Sequence, residues 1–286
     1  MSAPLPPHAP HAPLTRLPLS ALTGTLAAKV SAALSVASQA LARFPGPGLA
    51  LAWTGGKDST LMVRLFLEAA AAAGCVAPPV VCIDEGDPFP EVESFVSRTA
   101  RAWGLALEVV RNDDLLGEGL TVGEWVAAAR LDADNREELS RLGFFAPGFA
   151  FDPEALPGCH LAKTAPLGRY LVRRGAAALA TGIRRDEHPA RQGETAFSPR
   201  HVPPHLRVHP ILELTEAEVW AATFALGLPF CELYREGYRS LSTRSGTVRG
   251  GDVPAWEQDL ENTPERGGRA PGKEAAMAQL RALGYM

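Results

Sequence analysis

The stretch Gly48-Leu-Ala-Leu-Ala-Trp53-Thr54-Gly55-Gly56-Lys57-Asp58-Ser59-Thr60 decides how the chain folds. Five apolar-leaning residues, Leu49 to Trp53, run into a glycine turn. A helical pattern then starts, with Leu61, Val63, Leu65, Phe66 and Leu67 ahead of an alanine run to Gly74. Strand, glycine turn and helix start together make an anion site. Two glycines let the backbone turn tightly and approach a ligand. The unpaired N–H groups of the first helical turn and the helix dipole favour negative charge at the same spot. Thr54, Ser59 and Thr60 add hydroxyls, and Lys57 adds a mobile cation. The spacing is not that of a Walker A loop, which needs four residues between its first Gly and Gly-Lys-Ser/Thr. The competing reading is a plain glycine turn followed by an Asp or Ser N-cap.

At 286 residues, 46% of them hydrophobic, the chain suits one large α/β domain or one domain with appendages. A net charge of −4 gives no global argument for nucleic acid or an anionic membrane. Only four of the 28 cationic residues are lysines: Lys29, Lys57, Lys163 and Lys273. Cys75, Cys82, Cys159 and Cys231 are far apart, which argues against zinc, an iron–sulfur cluster or a disulfide framework. No basic region precedes an apolar core near the start, and no stretch reaches 18 charge-free apolar residues. A cytoplasmic enzyme without a membrane span is the expectation.

Residues 1–17 read as a disordered Pro/His-rich tail. Residues 18–234 read as a nucleotide-binding α/β domain led by an N-terminal helix, Leu19–Phe44. Residues 235–286 read as an irregular basic segment with a last helix, Lys273–Leu283, completing the site. Further strands are expected at Pro79–Ile83, Leu105–Val110 and Ala176–Thr181, with helices at Glu91–Trp103, Ala165–Arg174 and Leu214–Leu226, the last capped near Thr215. Alternating strands and helices predict a doubly wound, mostly parallel sheet with helices on both faces. Ligands of such sheets sit beyond the carboxyl ends of the strands. The loops Thr54–Thr60, Asp84–Asp87 and Thr181–Asp186 fall there. Between Asn112 and Pro157, Trp125, Leu131 and Leu139 suggest one or two helices, and Gly143–Pro157 reads as loop.

Other chemistry-bearing residues cluster in the same loops. Asp84, at a strand end, suits a ribose hydroxyl or a magnesium ion, or simply a turn. Lys163 can reach phosphate, Thr164 can cap the helix that follows, and His160 is an acid/base or a packing residue. Arg184 and Arg185 directly follow a strand, and the planar guanidinium suits a bidentate oxyanion contact. From Lys163 to Arg207 there are nine Lys/Arg against Asp186, Glu187 and Glu194, a local excess that favours an anionic ligand.

Taken together the blocks resemble the PP-loop ATP pyrophosphatases, and within them the ATP sulfurylase small subunits and phosphoadenylyl-sulfate reductases. Thr54–Ser59 is similar to that family's pyrophosphate loop. Asp84 to Phe89-Pro90-Glu91, Lys163-Thr164-Ala165-Pro166-Leu167 and Gly237-Tyr238-Arg239-Ser240-Leu241 look like its further blocks. Gly182-Ile183-Arg184-Arg185-Asp186-Glu187 and Glu265-Arg266-Gly267-Gly268-Arg269 resemble the sulfurylase branch, and residues 208–234 follow its pattern too. Two departures stand out. Thr243 occupies the family's Cys position, and no cysteine follows Cys231. Thiol-based reduction needs an exposed, activated Cys, so the reductase reading is the runner-up. A PP-loop ligase with a non-sulfate acceptor and a non-catalytic nucleotide-binding module stay open as well.

The resemblance implies an adenine nucleotide α-hydrolase-like fold and sulfate adenylyltransferase-like chemistry, ATP and sulfate giving adenylyl sulfate and pyrophosphate. It implies ATP binding by Trp53, Thr54, Gly55, Gly56, Lys57, Asp58, Ser59, Asp84 and Gly182. Lys57, Lys163, Arg184 and Arg185 would be catalytic, and Arg184, Arg185, Arg239, Arg266 and Arg269 would hold anions. Magnesium is expected, with Asp58 its first candidate ligand. A GTPase large subunit is the implied partner, and a homo-oligomer is left open.

Overall fold

The computed structural model describes residues 16–117, 119–265 and 271–285. Helix α1 (Gly24–Arg43) leads into β1 (Leu49–Ala52) and α2 (Lys57–Ala73). Then come β2 (Val80–Asp84), α3 (Pro90–Trp103) and β3 (Leu107–Arg111). A short α4 (Asp113–Leu116), β4 (Trp125–Ala127), α5 (Ala133–Arg141) and β5 (Gly148–Ala150) follow. The chain continues through α6 (Ala165–Arg174), β6 (Ala178–Ala180), β7 (Phe197–His201), β8 (Pro204–Val208), α7 (Glu216–Ala225) and α8 (Pro271–Ala282).

The six-stranded sheet has the order β3-β2-β1-β6-β8-β7, parallel throughout except for the antiparallel edge pair β7–β8. This is the doubly wound, mostly parallel sheet expected from the alternating elements, in the adenine nucleotide α-hydrolase-like form that the resemblance implies. Alternate residues of β1 serve two cores, as the period of two requires. Leu49 and Leu51, with Trp53 just past the strand, pack with α1, α2 and α3, whereas Ala50 and Ala52 pack with Tyr170 and Leu171 of α6. After β1 the chain builds outward through β2 and β3, then returns to place β6 on the other side of β1. The gap between β1 and β6 is therefore the topological switch point where such sheets take ligands.

Helix α1 is long and apolar enough, by length and composition, to cross a membrane. Its buried stripe of Val30, Ala33, Ala37 and Ala40 packs instead within the protein's cores, and Lys29 pairs with Glu218 at 2.7 Å. Helix α7 starts as expected: the Thr215 hydroxyl accepts from the Glu218 N–H, and the Glu218 carboxylate accepts from the Thr215 N–H.

Three expectations fail on local grounds. Trp125 lies in a strand, because β4 and β5 pair antiparallel as a three-residue ribbon, too short to show a period. The pair β7–β8 escapes the sequence pattern because Pro199 and Pro204 read as breakers; β7 is the sheet's edge, where proline is tolerated. Thr164 does not cap α6, because a π-helical turn over His160–Thr164 runs straight into it. Its hydroxyl is buried without a partner.

Residues 112–151, with Leu161 and Ala162, form their own small core of Leu115, Leu116, Val126, Leu131, Leu139, Phe149 and Phe151. A reciprocal amide pair, Asn112 with Asn135 at 3.0 and 3.1 Å, ties the start of this region to α5. Helix α8 docks beside it through Met277, Leu280 and Tyr285 against Cys159.

Candidate functional site

Thr54, Gly55 and Gly56 form the turn from β1 into α2, with Gly56 as the N-cap. Gly55 has φ +75°, and a Cβ there would lie 2.8 Å from both Val92 and Val96 of α3. Only glycine meets both conditions. The Ser59 hydroxyl accepts from the Thr54 N–H at 3.3 Å and donates to the Gly56 carbonyl at 3.0 Å, bracing the turn. The Lys57 N–H is held by the Tyr234 hydroxyl at 3.0 Å. Among the described residues the amides of Gly55, Asp58 and Ser59 take no acceptor, and Thr54 is exposed. First-turn amides point beyond the start of the helix, at its positive end, so the loop has the geometry to cradle an anion.

Gly182, just past β6, closes the other side of the switch point. A Cβ there would stand 2.7 Å from the Ser59 nitrogen and 2.8 Å from the Asp58 carbonyl carbon. Backbone touches backbone at this point, so the loop after β6 and the cradle behave as one unit.

The cations divide differently from expectation. Lys57 is not a mobile arm: it is 2% exposed. Its ammonium pairs with Glu265 at 2.5 Å, Asp58 at 3.2 Å and Glu216 at 3.6 Å, near the rings of Tyr234 and Trp220. Burial alone would lower its pKa, but Asp58, Glu265 and Glu216 outweigh burial and raise it above the ordinary lysine range. Arg184, equally buried, binds Asp58, Glu265 and, at 3.0 Å, Asp186. The same carboxylates raise its pKa against the opposing effect of burial. Arg239 gives its guanidinium to Glu216 at 2.8 Å and to the Asp259, Leu260 and Thr263 carbonyls. Three cations, Lys57, Arg184 and Arg239, thus meet four carboxylates, Asp58, Asp186, Glu216 and Glu265. Burial would raise the Glu265 pKa, but Lys57 and Arg184 hold it well below the usual range. Glu216, whose burial dominates, is raised.

Asp58 does not fit a magnesium ligand in this arrangement, because both of its oxygens face cations, Lys57 and Arg184. Trp53 is wholly buried, its indole N–H on Thr60 at 2.9 Å and its ring stacked on Trp103, so it belongs to the core rather than to a ligand. Asp84 accepts from the Gly86 N–H at 2.8 Å and pairs with Arg111 at 3.0 Å, the turn role. Lys163 pairs with Glu85 at 2.5 Å on the neighbouring loop. Arg185 turns away from its neighbour: it reaches Glu213 and the Gln192 carbonyl and is not part of the Lys57 cluster. Arg266 and Arg269 lie outside the described residues.

Glu216 and Glu265 are the site residues that sequence reasoning missed. Glu216 reads as an ordinary first-turn acid beside a cap. Glu265 opens the Glu-Arg-Gly-Gly-Arg block, and its arginines drew the attention instead. Thr243 is buried and donates to Glu154. Burial pushes the thiols of Cys82 and Cys231 up to about 11, and Cys159 is buried. Cys75 is exposed but follows the far end of α2. It lies roughly 25 Å from the cradle at 1.5 Å per residue.

Residues 48–141 and 148–248 match the family model described as the phosphoadenosine phosphosulfate reductase domain. An adenosine 5'-phosphosulfate reductase of Pseudomonas aeruginosa is 28% identical, covering 68% of this chain and 64% of the relative. A sulfate adenylyltransferase subunit 2 of Pectobacterium carotovorum is 26% identical, covering 68% and 62%. The chain thus spans a little under two thirds of the length of these relatives. Among solved structures, an FMN adenylyltransferase of Candida glabrata superposes with a TM-score of 0.58 at 17% identity, covering 89% of this chain and 81% of that one. A phosphoadenylyl-sulfate reductase of Candida auris superposes at 0.54 and 17%, covering 76% and 90%. At such identities these likenesses speak for the fold alone.

Proposed function

Because the chain belongs to the phosphoadenosine phosphosulfate reductase domain family, we propose that it binds ATP on the Thr54–Ser59 cradle and transfers the adenylyl group to sulfate. The observation that carries this is the cradle's place. Unpaired amides of Gly55, Asp58 and Ser59 stand at the switch point, with Gly182 in backbone contact. A sulfate oxygen attacks the α-phosphorus, the bond to the bridging α–β oxygen breaks, and pyrophosphate leaves. The amides and the Thr54 hydroxyl hold the leaving pyrophosphate, a fixed set of dipoles aimed where charge develops. The chain's work is mostly positioning and charge stabilisation.

Lys57 and Arg184 act from behind the loop. Paired to Asp58 and Glu265, they fix the first turn of α2 and hold the loop after β6 against it. The thiols speak against reduction as the activity, since no exposed, acid-shifted cysteine stands near the cradle among the described residues. The reading places the protein in the cytoplasm, where ATP is supplied. The partner this reading implies is a GTPase large subunit; that relatives are named "subunit 2" supports a further subunit, not its class. The test is pyrophosphate release from ATP with sulfate or molybdate, with and without a candidate GTPase. Release that rises with the oxyanion supports the reading, and release indifferent to it would overturn the sulfate acceptor.

A further inference from the structure

A second group of cations sits one strand beyond the switch point, and the chemistry above does not use it. The antiparallel register sets Arg207 opposite Ser198 and Arg200 opposite His205. Directly opposed residues share a face, and the parallel register puts Arg207 beside Leu179 of β6, on the face packed by α6. Arg200 reaches Glu194 at 2.5 Å, and His209 approaches the same carboxylate at 3.4 Å. Arg207 is 8% exposed, and its side chain makes no hydrogen bond or ion pair with any described residue. Its Nε, the Arg200 Nε and the His205 Nε2 are all buried without a partner.

Arg200 and Arg207, with Arg191 close enough to weigh on Arg207, therefore gather positive charge beside Glu194. Burial, with Arg200 and Arg191 nearby, pushes the Arg207 guanidinium down to about 9, the signature of a cation lacking its counter-charge. A buried, unpaired charge is strongly unfavourable. Orphaned donors and excess positive charge in one place fit a doubly charged oxyanion. The position fits as well. Strand β8 runs parallel to β6, so His209 emerges at the same edge as Thr181, and the two side chains bond at 2.8 Å. Gly182, the next residue, touches the cradle.

We propose that Arg207, Arg200 and Arg191, with His205, form a second oxyanion seat that takes the dianionic tetrahedral group of the acceptor substrate. This rests on the cradle being the seat of the ATP phosphates. The group is either free sulfate or a phosphate monoester on a larger acceptor, and its geometry and charge are the same in both.

Calorimetric titration of the full chain with sodium sulfate, phenyl phosphate and inorganic pyrophosphate separates the possibilities. Arg207→Met should weaken sulfate or phenyl phosphate binding at least tenfold and leave pyrophosphate binding within twofold. It should also melt at or above the wild type in anion-free buffer, because it removes an uncompensated buried charge; an arginine with a purely structural role would lower the melting temperature. Arg191→Gln, on the Pro189–Arg191 turn, should give a smaller loss with the same selectivity and serves if Arg207→Met does not fold. The stronger of the two oxyanion ligands identifies the acceptor's form. Unchanged binding of both in the variants, or binding of neither by the wild type, would overturn the seat. A wild type that binds sulfate or phenyl phosphate but not pyrophosphate would instead overturn the cradle.

Discussion

Lys57 is surrounded by carboxylates from three parts of the chain: Asp58 beside it, Glu216 at the start of α7, and Glu265 208 residues away. Its charge and its place after two glycines were legible in the sequence, but its direction was not. That direction follows from side chains remote in the chain that the fold brings behind the loop. Replacing Lys57 by Met would leave Glu216 and Glu265 short of a cation in a buried place. We expect a loss of about 3–5 kcal/mol in denaturant unfolding, so lost activity in that variant reports mainly on folding. Gly182→Ala tests the cradle more cleanly. Its Cβ has 2.7 Å to the Ser59 nitrogen, so the loops must separate at a cost of about 1–3 kcal/mol. Pyrophosphate affinity should fall by more than the change in stability, as read by calorimetry beside a melting curve.

At the scale of elements, α3, α6 and α7 were readable because each has an apolar period and a start or stop signal, such as the Thr215–Glu218 capping box. The β7–β8 pair was hidden by its prolines, and β4–β5 by its three-residue strands. The hairpin also predicts a pH dependence. Burial first, aided by Arg207 and Arg200, depresses His205 from 6.5 to about 4, against the Pro203 carbonyl that favours its charged form. The unfolded chain therefore takes up that proton first as pH falls. Stability from this residue is fully present above about pH 6.5 and is lost progressively down to about pH 4. The loss is on the order of 3 kcal/mol. His205→Gln should flatten the melting temperature across that window; an unchanged slope would assign the dependence to other groups.

At the scale of the molecule, the parallel sheet and its carboxyl-edge site were foreseeable from strand–helix alternation alone. How the C-terminal part returns was not, because its contacts are single side chains. Glu265 reaches the cradle's support, and Tyr285 donates to Glu138 at 2.8 Å beside the His160 ring. Leu280 is wholly buried against the Cys159 surroundings. Leu280→Ala should destabilise the protein by about 2–5 kcal/mol, measurable as a lower midpoint in urea.

Phosphorus NMR of the full chain with ATP and sulfate identifies the products. Adenylyl transfer gives pyrophosphate and an adenylyl product, the ATP having been opened between its α and β phosphates. The appearance of ADP with inorganic phosphate would contradict it.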